Sequence, residues 1–335
     1  MLGGIDLVRA LSLADIRSTV VAGGHDPVCY SRAVERVLEP SDAVSEQKQL
    51  LDTLLSFAAE RPQPTALYYD NDWDLLFVSR NREPLRAAFR FVVPDAHLVE
   101  TLVDKASFQE LAQRLDLPVP RARRWNAASG EAPDVAGLRY PLVVKPLIRH
   151  PDSWRRLTLG KALMTQDEAV LRRLVETLQG SDLELMIQEL VAGPESRIES
   201  YHVYVDADGQ IAGEFTGEKI RTYPADYGFS SAVTITDSDE VRTLGRELAG
   251  RLELRGGVAK FDFKRGDDDR LLLLEINPRF NLWHHPGAAA GVNLPALVHA
   301  DLLGRPRPGV SAAKAGVTWV HLAWDPKAAR EGVCA

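Results

Sequence analysis

The chain has 335 residues, of which 45% are apolar and 26% are charged, and this composition is typical of globular proteins with well-formed cores. Its 40 basic and 47 acidic residues give a formal net charge of -7, which argues against a nucleic-acid-binding protein because such proteins are usually basic. Two cysteines, no apolar run near the ~20 residues of a membrane span and no signal-peptide pattern favour a cytoplasmic protein without a membrane partner.

The first part of the chain alternates between helical and extended patterns. A glycine turn at Gly3 and Gly4 leads into an amphipathic helix and then a strand, and a further helical pattern over 42–59 precedes the strand-like sequence PTALYYD. This alternation predicts a small parallel α/β layer over residues 1–94, with its opening strand short or missing. The dinucleotide motif G-x-G-x-x-G is absent, so the two glycines favour a plain tight turn.

From residue 95 the pattern changes to longer helices and more irregular spacing. The sequence predicts a helix over 95–115, strands in YPLVVKPL and DLELMIQEL, and a helix over 166–178. The polar stretch RHPDSWRRLTLG between them has the composition of a mobile phosphate-covering loop or of an ordinary exposed loop.

The remainder of the chain is dominated by hairpin signals. ESYHVYVDADG and QIAGEFTGEKI flank an Asp-Gly turn, and GVAKFDFK and RLLLLEIN flank the charged turn RGDDD, so both pairs predict antiparallel hairpins. A helix is expected over 239–254, a loop over NPRFNLWHHPGAAAGVN, and a helix in LPALVHADLLG.

The second hairpin carries the most informative side chains. Glu275 and Asn277 lie two residues apart on one strand and share a face, and pairing around the turn brings Asp262 close to Glu275. Two carboxylates and an amide without His or Cys are the oxygen donors that Mg²⁺ prefers over zinc. A solvated polar face is the alternative, but an unpaired carboxylate within so apolar a strand is costly.

Several other charged residues stand at strand ends. Lys145 ends an apolar strand, where it either meets an anion or extends to solvent, and Lys105 stands near a helix start. Glu189 and Glu195 flank a strand-to-loop junction that can offer backbone groups to a base and a carboxylate to a ribose. Lys219 and Arg221 lie two apart on a strand and are therefore predicted to share a face that suits a carboxylate or phosphate, and Arg279 adds positive charge beside the acidic face.

Taken together and in order, these residues resemble the ATP-grasp superfamily, in particular its carboxylate–amine ligases related to D-alanine–D-alanine ligase and the carbamoyl-phosphate synthase large subunit. The resemblance covers about residues 95–301 and rests on VDKASF, YPLVVKPL, MIQELVAGPE, GEKIRTYPADYG and the pairing of Asp262 with EINPRF. It implies a Rossmann-like pre-grasp domain over 1–94, an N-terminal ATP-grasp part with a small lid over 95–190, and a C-terminal part with the metal and substrate site over 191–335.

The resemblance also implies roles for the site residues. Lys105 and Lys145 would hold the ATP phosphates, Glu189, Leu190 and Val191 would meet the adenine, and Glu195 would bind the ribose. Asp262, Glu275 and Asn277 would coordinate Mg²⁺, with Mn²⁺ as a substitute. The remaining cations, which would bind the carboxylate substrate or the transferring phosphoryl group, are Lys219, Arg221 and Arg279.

The implied reaction joins a carboxylate to an amine through an acylphosphate, with release of ADP and phosphate. Amino acids or short peptides are the expected substrates, Tyr223, Asp226, His284 and His285 are candidates for the amine site, and the relatives suggest a homodimer. A kinase, a carboxylate–thiol ligase and a non-catalytic nucleotide-binding module acting through a partner remain the alternatives at this stage.

Overall fold

The computed structural model describes residues 1–39, 47–147, 154, 162–225 and 228–333. The first ninety residues contain short strands and helices that alternate along the chain. These elements are α1 (Ile5–Ser12), β1 (Ser18–Val21), β2 (Val34–Leu38), α2 (Gln47–Ala59), β3 (Thr65–Ala66), α3 (Asp72–Arg80), α4 (Arg82–Ala88) and β4 (Phe89–Arg90).

The strands of this first part are all parallel, which confirms the predicted α/β layer. β1 pairs with β2 and β3 with β4, and Leu2 forms an isolated parallel bridge with Tyr69. The N–H of Val21 donates to the carbonyl of Met1 at 3.0 Å, and the N–H of Leu2 donates to the carbonyl of Tyr68 at 2.8 Å. Met1 and Leu2 therefore link the two strand pairs through single backbone contacts.

The middle of the chain forms a four-stranded antiparallel sheet in the order β5-β8-β6-β7. In the described ranges, two α-helices with assigned bounds precede this sheet and one lies between its strands in the sequence. The elements are α5 (Ala96–Val103), α6 (Lys105–Arg114), β5 (Ala122–Asn126), β6 (Leu142–Pro146), β7 (Leu163–Thr165), α7 (Glu168–Leu178) and β8 (Glu184–Glu189).

The prediction of a single helix over 95–115 is wrong, because the helix is interrupted at Asp104. The backbone of Asp104 is extended, and its carboxylate accepts the N–H of Ser107 at 2.8 Å, so it caps a second helix. The break makes Lys105 the first residue of α6.

The last part of the chain builds a six-stranded antiparallel sheet in the order β13-β12-β9-β10-β11-β14. Both predicted hairpins are confirmed as β9–β10 and β12–β13. The elements are β9 (Ile198–Val205), β10 (Ile211–Tyr223), β11 (Phe229–Thr236), α8 (Asp239–Arg251), β12 (Gly257–Arg265), β13 (Leu271–Asn277), α9 (His284–Ala289), α10 (Leu294–Leu302), β14 (Thr318–Val320) and α11 (Asp325–Val333).

The prediction of a loop between β13 and α10 is wrong, because this segment contains the helix α9. Pro286 and Gly287 made the segment look irregular, but Pro286 lies in the first turn of α9, where a missing N–H costs no helical hydrogen bond. The consequence is that His284 and His285 begin a helix that packs against α1.

The six-stranded sheet has a helical layer on each face, and the side chains of β9 alternate between them. Tyr201 and Val203 pack with residues of α6 and α8 in one core, whereas Tyr204 packs with residues of α1 and α10 in the other. Burial on both faces fixes the strand register, since a shift by one residue would exchange the two cores. Within the described ranges, no helix has the length and apolarity needed to cross a bilayer.

Candidate active site

The acidic residues predicted on the second hairpin do face one another. In the β12–β13 ladder Asp262 lies directly opposite Glu275, and Lys260 lies opposite Asn277. Because side chains two apart on a strand share a face, all four project from the same side of the sheet. This is also the side of His202 and Ser200, the partners of Lys260 and Asp262 on β9. We call these four residues, Lys260, Asp262, Glu275 and Asn277, the acidic wall.

Asp262 is the most enclosed member of the acidic wall, with 1% of its surface exposed. Its carboxylate accepts the hydroxyl of Ser200 and the ammonium of Lys260, each at 2.5 Å, and the ammonium of Lys219 lies 3.9 Å away. A buried carboxylate needs such partners to remain ionised. Sequence reasoning missed Lys260, although the alternation in KFDFK places it on the face of Asp262.

A chain of hydrogen bonds links the open end of the acidic wall to the first layer of the fold. The amide of Asn277 donates to Glu275 at 3.0 Å, and the guanidinium of Arg279 donates to the amide oxygen of Asn277 at 3.2 Å. Arg279 also donates to the carbonyl of Asp70 at 2.9 Å and pairs with the carboxylate of Asp72. Arg279 therefore lies beside the acidic wall, as predicted, but it is held by the N-terminal layer.

The two predicted phosphate-binding lysines lie across a cleft from the acidic wall. The ammonium of Lys145 donates to the side-chain oxygen of Gln188 at 2.8 Å, and that of Lys105 donates to the carbonyl of Pro146 at 2.6 Å. We call Lys105 and Lys145 the cationic wall. The cleft between the walls is lined by residues that include Lys105, Phe108, Lys145, Met186, Glu275 and Asn277.

Binding of an anion would change the protonation of Lys145. Burial, together with the smaller effect of neighbouring Lys105, lowers the pKa of its ammonium to about 8, while Glu275 acts in the opposite direction. An anion placed between the two lysines would favour the charged form of both. The sequence alternative, in which Lys145 extends into solvent, does not fit this enclosed position.

The residues expected to contact the nucleoside lie at and after the end of β8. The carboxylate of Glu189 accepts the N–H of Arg139 at 3.0 Å, and the N–H of Leu190 donates to the carbonyl of Pro141 at 3.0 Å. Val191 is buried. Glu195 begins a short 3₁₀ turn and pairs with the buried ammonium of Lys264 at 3.4 Å. Their contacts with adenine and ribose remain predictions.

Lys219 and Arg221 do not share a face, and the prediction that they do is wrong. In the β10–β11 ladder Lys219 pairs with Val233 and Arg221 with Ala232, so a bulge interrupts the alternation between them. Lys219 approaches Asp262, whereas Arg221 forms a two-pronged ion pair with Asp325 of α11 at 2.7 and 2.8 Å. Only Lys219 is thus brought to the acidic wall.

The two adjacent histidines have different surroundings. His284 is 1% exposed, and its ring nitrogens have no hydrogen-bond partner among the described residues. Burial lowers its pKa to about 3. His285 is half-buried and contacts Asp6. Tyr223 lies beside Lys327, while Asp226 and most of RHPDSWRRLTLG fall outside the described residues, apart from the fully buried Trp154.

The acidic wall fits a magnesium ion by its donor set. No cluster of three or more His, Cys, Asp or Glu side chains suited to a metal occurs within the described ranges, and the wall itself offers two carboxylates and one amide oxygen. Such oxygen donors suit Mg²⁺, which keeps several waters and binds few protein groups. Glu275 and Asn277 line the cleft, whereas Asp262 would need to share its oxygens with Lys260.

Comparisons with known proteins agree with this architecture. The sequence matches no established family profile. It is 23% identical over 290 residues to the D-aspartate ligase of Enterococcus faecium (strain Aus0004), covering 82% of this chain and 68% of that protein.

Solved structures with the same fold include an ADP complex of N5-carboxyaminoimidazole ribonucleotide synthetase, with a TM-score of 0.68, 17% identity and coverage of 94% of this chain and 78% of the other. The L-amino acid ligase from Bacillus licheniformis superposes with a TM-score of 0.65 at 16% identity, and the match covers 90% of this chain and 71% of the other. Other similar structures contain ATP or MgADP. These similarities confirm the fold that the sequence resemblance implies, and the chain has the ATP-grasp fold.

Proposed function

We propose that this chain, with its ATP-grasp fold, is an ATP-dependent ligase that joins a carboxylate to an amine and forms an amide or peptide bond. One observation carries the proposal: two buried or half-buried lysines face two oxygen-bearing side chains across a single cleft. Such a cleft suits a polyphosphate with a divalent cation, because each wall supplies the charge that the other lacks. The similarity to D-aspartate ligase supports an amino acid as the carboxylate substrate.

The chain's own residues then have the following roles. Lys145 and Lys105 bind the phosphates, and Asn277, Glu275 and Asp262 would hold Mg²⁺, which when bound neutralises phosphate charge and supports phosphoryl transfer. Lys219, 3.9 Å from Asp262, Lys260 and Arg279 counter the charge on the transferring phosphoryl group and on the substrate carboxylate. No protein nucleophile is required, because the substrate carboxylate attacks the γ-phosphorus and the amine then opens the acylphosphate.

The test is an ATP turnover assay with pairs of substrates. The chain is incubated with ATP and Mg²⁺, and ADP and phosphate are measured across amino acids and short peptides supplied singly and in pairs, with D-aspartate included. We expect phosphate release that requires both a carboxylate and an amine and yields an amide by mass spectrometry. Glu275→Ala is the inactive control.

Three other outcomes would contradict the proposal and identify the alternatives. ADP formation without free phosphate would indicate a kinase, and a thioester product would indicate a thiol acceptor. ATP binding without turnover under every substrate pair would indicate a nucleotide-binding module that acts through a partner.

A further inference from the structure

His285 and Asp6 form a side-chain pair that the roles above do not use. Nδ1 of His285 lies 3.1 Å from Oδ1 of Asp6, and the same oxygen accepts the indole N–H of Trp319 at 3.0 Å. The guanidinium of Arg9 lies 3.6 Å from it. The Asp6 side chain is 15% exposed and that of His285 is 26% exposed, so the carboxylate is fixed while part of the imidazole remains accessible.

The pair lies at the same junction as Arg279. His285 lies in the first turn of α9, which packs on the sheet face that carries the acidic wall, and Asp6 lies in the first turn of α1, two residues after Gly4. The N–H of Gly4 donates to the carboxylate of Asp70 at 2.5 Å, and Arg279 donates to the carbonyl of Asp70 at 2.9 Å. His285 therefore contacts Asp6, Arg279 contacts Asp70 and Asp72, and the hydrogen bond between Gly4 and Asp70 joins these two anchoring segments.

We propose that His285 is the base that takes a proton from the amine substrate, and that Asp6 is a positioning residue for its ring; this inference rests on the ligase function proposed above. An imidazole whose Nδ1–H donates to a carboxylate presents Nε2 as a proton acceptor. Among the described residues Nε2 has no hydrogen-bond partner. The tautomer required of a base is thus set by the contact with Asp6.

The step balances in protons and electrons. The substrate ammonium transfers one proton to Nε2 of His285, and the freed nitrogen lone pair attacks the acyl carbon of the acylphosphate. The C–N bond forms, the bond from the acyl carbon to the phosphate oxygen breaks, and the phosphate leaves with that electron pair. A second proton passes from the new nitrogen to the departing phosphate, and the imidazolium later releases its proton to water.

Two other histidines on this face, His202 and His284, do not suit the role. His202 and His284 are fully enclosed by aromatic rings, with the rings of His202 and Phe215 stacked at 4.4 Å and those of His284 and Phe280 5.3 Å apart. Burial lowers the pKa of both imidazoles well below the ordinary value, so neither would hold a proton taken from a substrate. Within the described residues, His285 combines an orienting carboxylate with partial exposure at this junction.

Trapping with hydroxylamine separates activation of the carboxylate from attack by the amine. Hydroxylamine is neutral at neutral pH and opens an acylphosphate without a protein base, whereas an ordinary amine is protonated there. The assay uses the carboxylate and amine that give the most phosphate in the turnover assay above, and it measures hydroxamate and amide separately. The variants are His285→Asn, His285→Gln and Asp6→Asn, with His97→Asn on exposed α5 as the matched control.

We expect the His285 variants to lose amide formation by about 100-fold, the usual scale of general-base catalysis, while hydroxamate formation stays within about twofold of the unmodified chain. Asp6→Asn should change the ratio of the two products in the same direction, and His97→Asn should not change it. Parallel loss of both products in the His285 variants, or no change in amide formation, would overturn the assignment. Absence of both products in the unmodified chain would instead overturn the ligase function itself.

Discussion

The two walls of the cleft hold their charges in different ways. On the cationic wall, the ammonium of Lys145 donates to the side-chain amide of Gln188, a group that satisfies a hydrogen bond without neutralising the charge. On the acidic wall, Asp262 is already paired with the ammonium of Lys260. The cationic wall therefore gains from an incoming anion, whereas a cation at the acidic wall must compete with a resident lysine. Nucleotide affinity should therefore depend mainly on the cationic wall, and turnover should depend mainly on the acidic wall.

The largest expected effect comes from Glu275 on the acidic wall. Glu275→Ala should lower turnover by about 1,000-fold, because a site for the cation that neutralises the transferring group is lost. Since Glu275 is exposed in the cleft, thermal unfolding should be nearly unchanged. Asp268→Ala, in the exposed turn of the same hairpin, is the matched control and should retain activity. Comparable loss in both variants would show that the hairpin fold, rather than the carboxylate, is what matters.

Removing Lys145 from the cationic wall should weaken nucleotide binding. Lys145→Met is expected to raise the ATP dissociation constant by about 30-fold, or roughly 2 kcal/mol, in keeping with loss of a charge-assisted contact. Calorimetric titration of ATP with Mg²⁺ measures this directly. An unchanged ATP dissociation constant would show that the phosphates do not bind at Lys145. It would also contradict the expectation that nucleotide affinity depends mainly on the cationic wall.

The lowered pKa of Lys145, about 8, predicts a pH dependence of ATP binding. Below this pKa the ammonium is already charged and affinity should be constant. Above it the lysine is neutral in the free protein, so phosphate binding must take up a proton, and affinity should fall by up to about tenfold per pH unit. In Lys145→Arg the guanidinium stays charged, and the dependence in this range should disappear. Titrations between pH 6.5 and about 9.5 distinguish the two cases.

Lys260 should stabilise the metal-free protein more than the metal-bound one. Lys260→Met leaves the buried carboxylate of Asp262 with fewer partners and should cost about 2 kcal/mol of unfolding free energy. Mg²⁺ with ADP should restore more stability to this variant than to the unmodified chain. Lys264→Met removes a similarly buried lysine, which pairs with Glu195, and should lose stability without that extra recovery. Equal recovery in both variants would argue against a cation at Asp262.

The smallest effect is expected at Arg221, which the bulge directs away from the acidic wall. Arg221→Gln breaks a partly exposed pair with Asp325 and should cost about 0.5 kcal/mol, with turnover reduced less than twofold. Lys219→Met should reduce turnover by at least about tenfold, since a cation near the transferring phosphoryl group is removed. Equal loss of turnover in the two variants would show that the different directions of the Lys219 and Arg221 side chains do not affect the reaction.

The order of secondary structure could be predicted where a local pattern decides it. The pairing of Asp262 with Glu275 followed from the alternation in two strands and a turn of fixed length, and the structure confirms it. The break at Asp104 was missed because apolar periodicity continues across it, while a single side-chain cap divides the helix. The helix at His284 was missed because proline and glycine usually interrupt helices, although the first turn tolerates proline.

The contacts that assemble the site were harder to predict than its members. The ion pair between Lys260 and Asp262 could have been predicted, because residues two apart on a strand share a face whether they are acidic or basic. The divergence of Lys219 and Arg221 depends on a bulge that leaves no composition signal, and the contact between His285 and Asp6 joins residues 279 positions apart. Such long-range contacts depend on the packing of helices against the sheet, which sequence periodicity does not specify.

The bulge in β10 divides that strand into two parts that can vary separately. Lys219 pairs with Val233, whereas the segment from Arg221 onward pairs with β11 in a shifted register and is also linked to α11 through Asp325. Substitutions or insertions beyond the bulge can therefore reshape the adjoining surface without moving the lysine beside Asp262. For protein engineering, this makes the stretch after Ile220, together with α11, the natural place to graft or randomise residues while the charged centre of the cleft is left intact.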